Sequence, residues 1–279
     1  MRLLTGLTLA VCLLPGAAQA ERTRVLVRYA GIVIETIVEG QGPAVVLLPS
    51  LARDSDDYDA VAEGLARSGL RVLRPQPRGI GKSSGPLEKI TLRDFARDVA
   101  EVILQQSNGR AVVVGHAYGN WVARMTAVDH PSLVRGVAIA AAASKQYDPS
   151  LRAEIDKAGD QALPEAVRLA ALRKAFFAPG NDPRPWLSGW HPHLREVQRS
   201  AAAAVPQEQW WPGGVAPLLD LQADQDPFRV ASTRQEMKDE FGDRVTIVVI
   251  KDASHALFPE RPQEVATALA DWIKRLPAR

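Results

Sequence analysis

Apolar and polar positions along this chain switch repeatedly between the short rhythm of strands and the 3.6-residue rhythm of helices. Residues 25–29 and 32–38 read as two strands of a hairpin turned at Ala30-Gly31. Residues 44–48 form an unbroken apolar run between Gly42-Pro43 and Pro49, the pattern of a strand buried on both faces. Residues 56–68 set Val61, Leu65 and the intervening alanines at helical spacing, and 71–73 read as a short strand. The clearest helix covers 91–106. Thr91 and Asp94 predict a capping box at its start, Phe95, Val99, Val102 and Ile103 share one face, and Asn108-Gly109 ends it. A buried strand over 111–114, a helix over 121–128 stopped near His130-Pro131, and a strand over 134–141 follow. After a long interval come a strand at 218–222, a helix at 231–241, a strand at 245–250 and a last helix at 263–275.

Buried strands alternating with helices predict an α/β fold, a mostly parallel sheet covered on both faces. The chain's 279 residues suit one large domain with an insertion better than two domains. The insertion is visible at 144–214, where the alternation stops. This stretch is rich in alanine and proline, carries Trp186, Trp190, Trp210 and Trp211, and reads as helices without strands. Placed between two sheet strands at the end where ligands bind, it predicts a helical cap over a pocket, the alternative being a helical packing layer with no role in binding, with 21–143 and 215–279 as the core. Trp186 and Trp190 are the candidate pocket aromatics, since capped pockets are largely apolar and aromatic.

The first twenty residues follow another pattern. Arg2 precedes an apolar stretch too short to span a bilayer, and Ala18-Gln19-Ala20 matches a small-x-small cleavage site. A signal peptide over 1–20 is expected, with cleavage after Ala20, a mature chain starting at Glu21, export to the periplasm or beyond and no membrane association after cleavage. Cys12 is the only cysteine, so the mature chain has neither disulfide nor thiol chemistry. A net charge of +2 without a basic stripe argues against nucleic acid as a partner. His191 and His193 lack further ligands at useful spacing, so no metal is expected, and nothing calls for a cofactor. A small molecule is the expected partner; oligomeric state is not legible.

The chemistry centres on Gly115-His116-Ala117-Tyr118-Gly119, a strand–turn–helix stretch with the spacing of a G-x-S-x-G nucleophile elbow but alanine in the middle. Pro49-Ser50-Leu51 follows a buried strand, where an oxyanion loop would lie with Pro49-Ser50 in place of His-Gly. Arg78-Gly79-Ile80-Gly81-Lys82-Ser83 has the form R-G-x-G-x-S. Asp226 precedes Pro227, a placement that also suits a turn, and Asp224 is the neighbouring carboxylate. His255 follows a predicted strand and precedes Glu260-Arg261-Pro262. In this order and register, residues 25–275 resemble the α/β-hydrolase fold family, closest to its cap-bearing esterases and related hydrolases. The resemblance implies an eight-stranded sheet, Asp226 as the triad acid, His255 as the base, and the Leu51 and Tyr118 N–H groups as oxyanion donors. A small, largely apolar ester, lactone or related carbonyl compound is the implied ligand, given four cap tryptophans and no basic cluster.

Ala117 closes the acyl-enzyme route at that position, and three readings stay open. His255, oriented by Asp226, activates water or abstracts a substrate proton. The pocket binds a ligand without chemistry. Or the chain is an inactivated Ser-to-Ala form of an ordinary serine esterase. Ser50, on the pocket side of its loop, is a candidate relocated nucleophile.

Overall fold

The computed structural model describes residues 22–277. The expected leader, with Cys12, lies outside them.

Eight strands form one sheet: β1 (Thr23–Tyr29), β2 (Ile32–Glu39), β3 (Ala44–Leu48), β4 (Arg71–Pro75), β5 (Ala111–His116), β6 (Val134–Ala140), β7 (Leu218–Ala223) and β8 (Val245–Ile250). Their spatial order is β1-β2-β4-β3-β5-β6-β7-β8. β1–β2 and β2–β4 pair antiparallel and every later pair is parallel. The chain steps outward from β3 to β4 and returns beside β3 with β5, in the register Ala44↔Ala111 to Leu48↔Gly115. This reversal is the switch point at which open α/β sheets form their ligand crevice. It sets the loops after β3 and β5 side by side.

Alternation along the strands sends their apolar side chains to two cores. Val46, Leu48 and Val113 pack under α2 (Leu92–Gln106) and α3 (Tyr118–Asp129). Val45, Leu47, Val112 and Val114 pack under α1 (Asp59–Arg67) and the last helix. The predicted capping box is present, with the Thr91 N–H donating to Asp94 Oδ2 at 2.8 Å.

Between β6 and β7 lie the cap helices α4 (Leu151–Gly159), α5 (Glu165–Ala175), α6 (Pro192–Ala203) and α7 (Gln207–Trp210). They enclose a third core built on Leu172, Phe176, Phe177, Trp186 and Trp190. The chain closes with α8 (Glu236–Phe241), α9 (Leu257–Glu260) and α10 (Pro262–Arg275).

Three helix boundaries differ from the sequence expectation. α3 begins at Tyr118, directly after Ala117, because the turn leaving β5 feeds straight into it. The helix expected over 231–241 is a 3₁₀ turn at Ala231–Thr233 followed by α8. Gln222 Nε2 donates to the Arg234 carbonyl at 2.8 Å, so that acceptor is engaged outside a continuous helix. The one expected over 56–68 opens as a 3₁₀ turn at Ser55–Tyr58, capped by Asp54, before α1 starts.

Candidate active site

The turn after β5 holds Ala117 at φ 48°, ψ −112°, a conformation unfavourable for any residue with a Cβ. Two glycines make the turn possible. A Cβ on Gly115 would lie 2.2 Å from the Gly119 carbonyl oxygen, and one on Gly119 would lie 2.5 Å from that of Leu48. The Ala117 N–H donates to the Ala140 carbonyl at 3.0 Å, tying the elbow to β6. The strained geometry that presents a nucleophile is therefore intact around a methyl group.

Asp226 and His255 sit on the loops after β7 and β8. His255 Nδ1 lies 3.0 Å from Asp226 Oδ2 and 3.2 Å from Oδ1. An ionised carboxylate only accepts, so Nδ1 carries the proton and Nε2 presents its lone pair. Asp226 Oδ1 also accepts the Phe228 N–H at 2.9 Å, and both side chains are buried. His255 Nε2 has no hydrogen-bond partner among the described residues, and the ring borders the cavity with Ala117. Phe228 lies against its face, with centroids 4.3 Å apart. Asp224, the neighbouring carboxylate, points elsewhere, with Oδ2 3.7 Å from Lys251 Nζ.

The Leu51 and Tyr118 N–H groups donate to no other protein group among the described residues, and both residues line the cavity. Tyr118 is the first residue of α3, where an N–H has no intrahelical acceptor. Ser50 lines the cavity too, but no hydrogen bond joins its side chain to His255. Its own N–H goes to Tyr58 Oη at 3.1 Å.

That tyrosine opens a buried hydrogen-bonded chain that runs through His116. Tyr58 Oη lies 2.9 Å from His116 Nδ1, and His116 Nε2 lies 2.7 Å from the His255 carbonyl oxygen. The carbonyl requires Nε2–H, so Nδ1 accepts the tyrosine proton. His116 is fully buried, and desolvation, with His255 nearby, drives its pKa down to about 3. It is a neutral strut joining the Ser50 loop to the histidine loop.

The cap is stapled to the same Ser50 loop. The Ala52 N–H donates to Gln198 Oε1 of α6 at 2.7 Å, and the Ala52 carbonyl accepts the His191 N–H at 2.8 Å. Arg53 donates to the Ser188 carbonyl (2.6 Å) and to Asp57 Oδ2 (2.7 Å). Its guanidinium lies 4.5 Å from the ring centroid of Trp186 and 4.8 Å from that of Trp190. His191 Nε2 lies 2.9 Å from Asp54 Oδ2, and His193 Nε2 lies 3.3 Å from the Gly79 carbonyl. Both cap histidines are thus engaged in docking the cap.

The resulting cavity has a volume of about 530 Å³. Two sequence expectations need correction. Of the two candidate pocket tryptophans, Trp190 lines the cavity but Trp186 does not; it is packed behind, against Phe176, Phe177 and Arg53. Trp121, Trp210 and Trp211 line it instead. The site is also not free of basic groups: Lys145, Arg152 and Arg199 border it. They come from separate segments, so no local run of basic residues announces them.

A family model described as "Alpha/beta hydrolase family" matches residues 45–268. A protein named "Putative carbamate hydrolase RutD", from Variovorax paradoxus, is 31% identical over 144 residues, 49% of this chain and 54% of that protein. A "Pyrethroid hydrolase" from Sphingobium wenxiniae is 25% identical over 77% of this chain and 82% of that protein. Among solved structures, an esterase (EaEST) from Exiguobacterium antarcticum superposes with a TM-score of 0.73 at 19% identity, covering 90% of this chain and 100% of that one.

Proposed function

The chain belongs to the alpha/beta hydrolase family, and we propose that it acts on a small ester, lactone or related carbonyl compound by general-base catalysis, without an acyl-enzyme intermediate. The observation that carries this reading is the Asp226–His255 pair, complete and with Nε2 unpartnered at the cavity beside Ala117. The hydrolase names of the two sequence relatives support the class of reaction. The spans they share with this chain differ, so the substrate is read from the site.

In this mechanism a water molecule takes the place of the serine hydroxyl. His255 Nε2 removes its proton as the water oxygen attacks the substrate carbonyl carbon. The oxyanion develops toward the Leu51 and Tyr118 N–H groups. When the tetrahedral species collapses, the bond to the leaving oxygen breaks. The imidazolium returns its proton to that oxygen, leaving an acid and an alcohol. Asp226 holds the ring and stabilises its cationic form.

The test is hydrolysis of p-nitrophenyl acetate and butyrate by the native, Ala117→Ser and His255→Ala proteins. The native rate is expected to be slow, above the uncatalysed background and lower in His255→Ala. Ala117→Ser is expected to raise it on the order of 10²–10⁴-fold, the scale of a positioned acid–base step. Brisk native turnover that survives His255→Ala would overturn the proposal. Brisk turnover that needs His255 but is lost in Ser50→Ala would move the nucleophile to Ser50. A second reading, a ligand-holding protein, is favoured by the absent hydroxyl at Ala117. It predicts no turnover in either form and measurable ligand affinity in both. The leader pattern of residues 1–20 supports action outside the cytoplasm, checked by sequencing the exported form, expected to start at Glu21.

A further inference from the structure

We infer that the molecule occupying this cavity carries a carboxylate at its cap-side end, remote from the carbonyl that meets His255. The inference rests on the ligand-binding part of the proposed function and adds the substrate class. Its basis is the charge of the wall. Lys145, Arg152 and Arg199 line the cavity, and no aspartate or glutamate does. These cations come from the segment after β6, from α4 and from α6, all on the cap side. The Ala117 elbow and His255, the proposed base, belong to the sheet side.

Neighbouring carboxylates offset this charge only in part. Asp156 is 2.7 Å from Arg199 Nη2 and also 3.1 Å from Arg195 Nη1, so one acid serves two arginines. Glu240 is 2.8 Å from Lys145 Nζ. Glu236 accepts the Lys145 N–H at 3.1 Å and lies 3.5 Å from Arg229, whose nearer partner is Asp220 at 2.6 Å. Asp148 is engaged with the Ser150 N–H at 2.9 Å. Arg152 is exposed, and its guanidinium meets no carboxylate among the described residues. Lys145 and Arg199 are thus each paired with an acid, and Arg152 is the wall cation left without one; the low-dielectric surfaces of Trp190, Trp210, Trp211 and Phe176 beside it concentrate its field in the cavity.

Most of the remaining lining is apolar and aromatic, with Ser50, Asn120, Ser144 and Gln207 as neutral polar groups, which suits one anion on a hydrophobic body better than a compact polyanion. The predicted substrate class is therefore a half-ester of a dicarboxylic acid, or a lactone or ester bearing a free acid on an aryl or alkyl chain. A neutral ester would leave Arg152 without a partner.

The test measures binding, so it does not depend on turnover. The native protein is titrated with 4-phenylbutyrate and with its uncharged isostere 4-phenylbutanamide, following the fluorescence of the cavity tryptophans. The acid is expected to bind roughly tenfold more tightly at low ionic strength, with the preference shrinking as salt screens the exposed cations. Arg152→Ala and Arg199→Gln are each expected to reduce the preference to about threefold or less. Arg152 is exposed, so its variant tests charge rather than folding. Equal binding of acid and amide would overturn the inference and leave the proposed function standing. A preference that persists in both variants would also overturn it, since the carboxylate would then sit at the Leu51 and Tyr118 donors. Failure of both probes to bind would sink the cavity as a ligand site, and the proposed function with it. Selective binding without turnover in any form would strike only the chemistry.

Discussion

The buried strut at His116 predicts a specific acid sensitivity. Its folded pKa is about 3, against 6.5 for an ordinary histidine. The unfolded chain therefore takes up a proton that the folded chain refuses. The sign follows: the His116 contribution is complete above about pH 6.5 and falls as the pH drops below that value, levelling off near the folded pKa. Each pH unit inside the window removes about 1.4 kcal/mol, so acidification to about pH 4.5 removes about 3 kcal/mol. Carboxylates titrate over the same range, so the measurement must isolate one residue. The comparison is urea unfolding of the native protein and His116→Gln at about pH 8 and about pH 4.5. The variant loses the bonds to Tyr58 and the His255 carbonyl and should be the less stable at both pH values. Lacking the titrating ring, it should lose less in acid, so the stability gap narrows by about 3 kcal/mol. In thermal melts that corresponds to a gap closing by roughly 6–12 °C for a chain of this size. A gap independent of pH would refute the argument and imply that His116 is protonated in the folded protein.

Gly119→Ala should destabilise the protein by more than about 3 kcal/mol, or prevent its recovery as folded material, because the new Cβ meets two carbonyl oxygens at 2.5 and 2.7 Å; urea midpoints or soluble yield report this. Trp186→Ala, emptying a fully buried site in the cap core, should lower stability by about 3–5 kcal/mol by the same measurement. Arg53→Met leaves the Asp57 carboxylate without its buried partner and should cost about 3–5 kcal/mol. Adding Asp57→Leu should recover part of that loss, and a double variant no better than the single would contradict the pairing. In the Ala117→Ser background, Asp226→Asn should reduce p-nitrophenyl butyrate turnover by about 10²–10⁴-fold, since the amide no longer enforces the Nδ1–H tautomer.

The parts of this architecture legible in the sequence are those imposed by local physics. Ala44–Leu48 reads as a strand because both of its faces are covered, and an unbroken apolar run follows from that. Gly115 and Gly119 stand out because no other residue fits the elbow, and the loops of Asp226 and His255 follow in chain order. The parts that are not legible depend on partners distant in sequence. Gln222 reaches the Arg234 carbonyl from β7, and nothing within 231–241 encodes that interruption. Which cap tryptophans face the cavity is decided by how the cap docks. Trp186 is drawn inward under Arg53 while Trp210 and Trp211 are left on the wall. Tyr58 reads as one residue of an amphipathic segment until His116 is placed beside it. The basic wall is assembled by Lys145, Arg152 and Arg199 from three segments, so apolar composition across the cap conceals it.

Attachment of the cap to the Ser50–Arg53 loop makes two equilibria inseparable. Gln198 holds the N–H of Ala52, and Ala52 adjoins Leu51, whose N–H is one of the two donors proposed for an oxyanion. Lifting the cap away breaks the Gln198 and His191 bonds to Ala52 and frees the backbone that aims the donor. By thermodynamic reciprocity, any species that bonds more strongly to the aimed Leu51 N–H holds the cap down by the same free energy that the seated cap lends to its binding. Residence time under the cap should then rise with the negative charge on the bound oxygen. A carbonyl would exchange freely, and an oxyanion would close its own exit until its charge is discharged.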